Sequence, residues 1–169
     1  MNRRDIGLLV AGGIFALDQI IKLLLLYGLD LVHLAPGQAV PVLPFFNLVM
    51  VWNAGISFGL FQADGPEGTV IIATIQLLIV CGLGWWLCFT AIQSRTLAVA
   101  QGLVIGGALG NLVDRLVYGN VADFFHFFGL GYDWYVFNVA DAAITFGVFG
   151  LIYDAVLGPD TPKGEGQKE

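Results

Sequence analysis

Charge is what this sequence has least of. Only 12% of its 169 residues are Asp, Glu, Lys or Arg, while 57% are hydrophobic and the mean hydropathy is +0.81. A soluble domain carries about 25% charged residues, so this chain cannot coat a water-facing surface; a secreted domain and a disordered chain are both excluded. Bases are scarcer still, seven against thirteen acids for a formal charge of -6. No basic patch is therefore expected for nucleic acid or for anionic lipid. The two cysteines, Cys81 and Cys88, cannot build a disulfide framework and read as apolar packing. His33 and His126 are isolated from each other and from the cysteines, so no metal site is expected, and no other cofactor. Ser57 and Ser94 have no histidine in a triad-like context. The glycines Gly102, Gly106, Gly107 and Gly110 lie inside an apolar run, where their spacing makes a helix-packing stripe rather than a phosphate loop.

What is present is length of apolar chain. A bilayer-crossing helix needs about 20 residues, and four stretches qualify, at about residues 6–27, 69–89, 97–117 and 135–157. The expected fold is an all-α integral membrane protein, one domain over residues 1–157 with four transmembrane helices and a small extracytoplasmic β-rich platform. Asp18 and Lys22 interrupt the first stretch and no small-x-small cleavage site follows it, so a retained helix is expected rather than a signal peptide. Arg3, Arg4, Arg95, Lys163 and Lys168 all fall outside the stretches on one side, whereas loops 28–68 and 118–134 contain no Lys or Arg. Excess base marks the cytoplasmic face, which places both termini inside and both base-free loops outside. The polar tail, 158–169, is expected to be disordered. Loop 28–68 is rich in β-branched and aromatic residues between Pro36, Pro41 and Pro44. It reads as short strands, either a packed cap over the helix ends or a platform that holds an extended peptide.

Charged groups inside spans are costly and often functional. Here they are Asp18, Lys22, Asp114, Arg115 and Asp141, joined by Asn111 and Asn138. Counted from the inner ends, Asp18 and Lys22 lie about 18 and 24 Å up, Asn111 and Arg115 about 21 and 27 Å, and Asp141 about 9 Å below the outer boundary. They share one depth, the outer third, and so point to one site. Asp18 and Lys22 are spaced i, i+4 and suit a neutralised ion pair that also braces the site. Arg115 reads either as a donor to substrate carbonyls or as the partner of a nearby acid. Asp123 and Asp141 each close the tetrapeptide Asn-Val-Ala-Asp, one after the third span and one opening the fourth. Two adjacent carboxylates share a proton, so that one serves as base and the other as acid. That equipment suits hydrolysis of an amide by activated water; a proton relay or a structural role remains open on spacing alone.

The motifs, taken together, resemble the lipoprotein signal peptidase family, bacterial inner-membrane aspartyl peptidases also called signal peptidase II. They are Leu17-Asp18-Gln19 with Lys22; Trp52-Asn53-Ala54-Gly55-Ile56-Ser57-Phe58-Gly59; Gly106 to Arg115; Val121-Ala122-Asp123-Phe124; and Phe137-Asn138-Val139-Ala140-Asp141-Ala142-Ala143. Five in register over nearly the whole chain are specific, and Ala54 stands at a position that varies in the family pattern. The resemblance implies an endopeptidase that removes the signal peptide of diacylglyceryl-modified prolipoproteins just before the lipidated cysteine. It implies Asp123 and Asp141 as the catalytic pair and Asn53, Gly55, Asn111, Arg115 and Asn138 around the substrate. Asp18, Lys22 and Asp114 would support the geometry. It further implies an active site near the extracytoplasmic face, contact with membrane lipids, and inhibition by globomycin-like cyclic peptides; a monomer is expected. Two other classes would use the same charges: a proton-coupled channel, which predicts flux without cleavage, and a scaffold, which tolerates loss of either Asp123 or Asp141.

Overall fold

The computed structural model describes residues 1–55, 65–92 and 94–158. Residues 56–59 of the second motif, Ser57 among them, and the tail from residue 159 onward lie outside the described residues. Four long helices are built from the four apolar stretches. Helix α1 (Arg3–Leu23) starts where the Asn2 side chain accepts from the Asp5 amide, and its last turn widens into a five-residue π-helical segment, Leu24–Gly28. Helix α2 covers Gly65–Phe89; α3 (Arg95–Tyr118) is capped by Ser94; α4 (Val139–Leu157) is capped by Asn138. All four are long and apolar enough to cross a membrane. Helix α3 is the central one: 72% of its apolar window is buried, against 11–22% for the other three. Their outer faces carry exposed Leu9, Val70, Leu78, Phe149 and Val156, an apolar surface suited to contact with lipid.

Glycine lets the neighbours reach α3. A Cβ added to Gly102 or Gly106 would lie 2.5 Å from the carbonyl oxygens of Gly7 and Ala11 on α1, and one added to Gly107 would lie 2.5 Å from the Ala140 carbonyl on α4. The stripe read from the sequence therefore serves two interfaces, each at backbone contact distance. Gly107→Ala is expected to destabilise the fold by about 1–3 kcal/mol through overpacking. Gly13→Ala, where a Cβ meets nothing within 4 Å, should not. Thermal unfolding of both variants in detergent checks this.

Between the helices lies a four-stranded antiparallel sheet in the order β1-β2-β3-β4, made of β1 (Ala39–Leu43), β2 (Phe46–Asn53), β3 (Val121–Gly129) and β4 (Tyr132–Asp133). All-α thus describes the spans alone. Half the strands come from residues 118–134, a loop in which the sequence reading places no strand. Gly119 (φ +79°) turns the chain out of α3, its N–H closing on the Arg115 carbonyl, and sends it directly into β3. Edge strand β1 carries Pro41, which lacks an N–H and blunts that edge against strand addition. Leu25, Leu26, Leu31, Ala122 and Phe124 form the core under the sheet; Ala11, Leu87, Ile92, Leu97, Ala98 and Ile105 form another towards the opposite end of the bundle.

That opposite end corrects the expectation of no basic patch. Arg3, Arg4 and Arg95 line one open cleft of about 630 Å³. Net charge averages over the whole chain, while the fold gathers the start of α1, the end of α2 and the start of α3 at one place.

Candidate active site

Where the spans meet the sheet, eight polar side chains form a buried layer. Asp18, Lys22, Asn111, Asp114, Arg115, Asp123, Asn138 and Asp141 are each 0–6% exposed. They come from the last turns of α1 and α3, from β3 and from the first turn of α4, so the depth arithmetic and the structure agree that they belong to one place. Phe137 makes the meeting possible. Its carbonyl accepts from the amides of Phe124 and Phe125, and its own amide donates to Phe125, which sets Asn138 beside β3. The β2–β3 register shifts between Leu48 and Val51, and Val51 faces Asp123; such an irregularity re-aims a strand side chain.

A chain of amides links the two carboxylates of interest. Asn138 Nδ2 donates to Asp123 Oδ1 at 2.6 Å and to Asn111 Oδ1 at 3.1 Å, and Asn111 Nδ2 donates to Asp141 Oδ1 at 2.9 Å. The direction of this chain is dictated by groups that can only donate. Lys22 Nζ reaches Asn111 Oδ1 at 3.0 Å, and an ammonium has no acceptor; the Asn111 amide nitrogen must therefore face Asp141. The Asp141 backbone N–H reaches Asn138 Oδ1 at 2.9 Å, so the Asn138 amide nitrogen must face Asp123. The second oxygen of Asp123 accepts from Asn53 Nδ2 at 2.9 Å, and Asn53 Oδ1 accepts from the Gly55 amide at 2.9 Å.

Beneath the amides sits Lys22, 2.9 Å from Asp18 and 2.7 Å from Asp114. Each of these acids holds one backbone N–H: Asp114 that of Ala122 at 3.1 Å, and Asp18 that of Ala140 at 2.9 Å. Ala122 and Ala140 are the residues immediately before Asp123 and Asp141. One ammonium thus ties together the two backbone segments that carry the pair. Arg115 looks the other way: Nη2 donates to the Gly55 carbonyl at 2.5 Å and Nη1 to Gln76 Oε1 at 3.1 Å. Gln76 went unnoticed in the sequence; a lone amide in the otherwise apolar second stretch is the signal that marks it.

The two carboxylates stand in different surroundings. Asp123 lies on β3, where burial first, and the charge of Asp141 second, push its pKa up to about 8 against the opposing bonds from Asn53 and Asn138. Asp141 is the third residue of α4, in a reciprocal capping arrangement with Asn138, and the positive ends of the first-turn amides lie about it. Beside it opens an apolar recess of about 180 Å³ walled by Trp134, Phe137, Ala142, Thr145 and Phe146. No group of three or more His, Cys, Asp or Glu able to hold a metal is found among the described residues.

The sequence matches the family described as Signal peptidase (SPase) II over residues 10–157. The chain belongs to the signal peptidase II family. Lipoprotein signal peptidases of Methylorubrum extorquens (strain PA1) and Rhodopseudomonas palustris (strain TIE-1) are 48% identical over 150 residues and 44% identical over 162 residues. Those matches cover 89% and 94% of this chain and 85% and 96% of theirs. A solved bacterial membrane enzyme, determined in meso at 2.3 Å, superposes with a TM-score of 0.75 at 29% identity, covering 96% of this chain and 94% of its own. As a signal peptidase II the protein is an aspartic peptidase, a hydrolase of multi-pass membrane type, and its family acts on lipoprotein signal peptides.

Proposed function

We propose that this signal peptidase II removes the signal peptide of diacylglyceryl-modified prolipoproteins, cutting just before the lipidated cysteine with a water activated between Asp123 and Asp141. The observation that carries the reading is the directed amide chain that joins the two carboxylates and holds them in unlike environments. Asp123, with its raised pKa, rests protonated and serves as the acid, and Asp141 serves as the base. Asp141 takes a proton from water and the hydroxide adds to the scissile carbonyl carbon. Asp123 delivers its proton as the C–N bond breaks, leaving a carboxyl on the signal peptide and an amine on the cysteine. Neither metal nor covalent intermediate enters these steps.

Asn111 and Asn138 orient the pair, Asn53 and Gly55 border it, and Arg115 anchors the Gly55 segment above it. Asp18, Lys22 and Asp114 fix the backbone beneath. The recess beside Asp141 suits an apolar group flanking the scissile bond. With both termini cytoplasmic, the sheet and the pair lie near the extracytoplasmic face, where a lipid-anchored cysteine would present its peptide bond. Membership of the family makes globomycin-like cyclic peptides expected ligands.

The purified protein should cleave a diacylglyceryl-modified prolipoprotein and leave the unmodified precursor intact, read by gel shift. Cleavage of both would discard the lipid requirement, and cleavage of neither by folded protein would return the buried charges to a structural role. The pH profile supplies a further check. Below about 8 Asp123 keeps its proton, and above that value the proton is lost. Activity is therefore expected to fall as pH rises through about 8. Stability should decline as pH rises from the ordinary carboxylate range towards about 8 and level off above it, because over that interval the folded chain holds a proton that the unfolded chain has released. A rate that stays flat from neutrality to well above that value would contradict the shared proton.

A further inference from the structure

The cleft at the end of the bundle opposite the sheet gathers three arginines, and peptide hydrolysis leaves it unused. Arg3, Arg4 and Arg95 line it together with Cys88, and the buried core residues Leu87 and Ile92 form its floor. Among the described residues the other two bases, Lys22 and Arg115, are buried in the polar layer, so every exposed base converges here. Arg3 Nη1 donates to the Ile92 carbonyl at 3.0 Å, which fixes one guanidinium at the rim. The neighbouring acids do not neutralise the cleft. Asp5 meets Arg4 at 3.6 Å with both side chains about half exposed, a pairing that water weakens. Asp154 accepts from the hydroxyl of Ser94 and forms no ion pair with any of the three arginines.

A second feature sets the depth. Trp85, Trp86 and Phe89 are exposed on the same end of α2, and exposed tryptophans of a membrane helix mark the headgroup level. The guanidinium forks of the cleft, which match phosphate oxygens, therefore share one end of the bundle with the exposed aromatic flank of α2. We propose that it binds the phosphate headgroup of an anionic phospholipid in the leaflet opposite the sheet, the acyl chains lying along α2. A soluble phosphate would satisfy the arginines but leave the exposed aromatic flank of Trp85, Trp86 and Phe89 without a partner.

The test is lipid retention by the full chain in detergent, read by native mass spectrometry with phosphatidylglycerol and phosphatidylcholine of matched acyl chains. Each interfacial base strengthens anionic-lipid binding about fivefold, so phosphatidylglycerol should be favoured by about tenfold or more. The Arg4→Gln/Arg95→Gln variant keeps the Arg3 bond to Ile92 and should lose most of that preference, retaining only the roughly fivefold share of Arg3, while still cleaving prolipoprotein. That retained cleavage shows the variant folded and separates this result from the peptidase reading. Where the double variant does not fold, Arg95→Gln alone should lower the preference severalfold. Equal retention of the two lipids by the native chain, or an unchanged preference in the folded variant, would overturn the proposal. Displacement of the lipid by excess inorganic phosphate would overturn the lipid assignment in favour of a soluble anion.

Discussion

Asparagine in place of Asp141 is expected to lower cleavage by about 10⁴-fold, the scale seen when an acid–base group of a peptidase is removed without changing shape. The substitution keeps an oxygen for the Asn111 amide, and the position facing the Asn138 N–H is already long, at 3.4 Å. Fold and thermal midpoint should therefore be preserved. Asp123→Asn is expected to abolish cleavage as well, but less cleanly. Both oxygens of Asp123 accept, from Asn53 and from Asn138. A protonated carboxyl can accept at both positions, whereas an amide nitrogen cannot, so one buried donor loses its partner at a cost of about 1–3 kcal/mol. The double variant should be no slower than either single one, because the two residues act as a unit. Rates measured by single-turnover cleavage, beside unfolding midpoints, check all three; additive losses would contradict a shared-proton pair.

Lys22→Met carries the largest expected effect on stability. Methionine keeps the length of the side chain and removes the charge. Asp18 and Asp114, 0% and 1% exposed, then face each other with no ammonium between them. Breaking one partner out of a buried ionic group costs about 3–5 kcal/mol. It also frees the Asn111 amide, whose direction Lys22 dictates. A variant that additionally carries Asp18→Asn and Asp114→Asn removes the uncompensated charge and keeps an acceptor for the Ala140 and Ala122 amides. It should regain much of the lost stability and little of the activity. Unfolding midpoints and cleavage rates of the two variants test this; a Lys22→Met protein as stable as the parent would contradict the bracing role.

Much of this site can be read in the sequence because helix geometry is rigid. With a fixed rise per residue, positions along an apolar stretch convert to depth, and the i, i+4 spacing of Asp18 and Lys22 becomes the 2.9 Å ion pair. The sheet is less legible, and Asn-Val-Ala-Asp shows why. The tetrapeptide ending at Asp123 runs into β3, while the one ending at Asp141 caps and opens α4. Four residues do not decide between these outcomes; their C-terminal neighbours do. Phe124 to Phe128 supply aromatic rings that pack on a pleated surface, including Phe124 at 0% exposure, whereas Ala142 and Ala143 extend a helix. The pairing of Phe125 with Phe137 joins residues across an irregular loop and leaves no periodic trace. Gln76 and the arginine cleft stay hidden for a related reason, since each gains meaning only from a helix distant in sequence.

Whether Asp123 and Asp141 act as one proton-sharing pair on a lipidated precursor is decided most directly by a single measurement. Native protein and the Asp141→Asn variant, shown to unfold at the same temperature, are each mixed with a diacylglyceryl-modified prolipoprotein, and the products are weighed by mass spectrometry. The proton-sharing pair predicts a native product that begins at the lipidated cysteine and no product from the variant. Undiminished cleavage by the variant would contradict it.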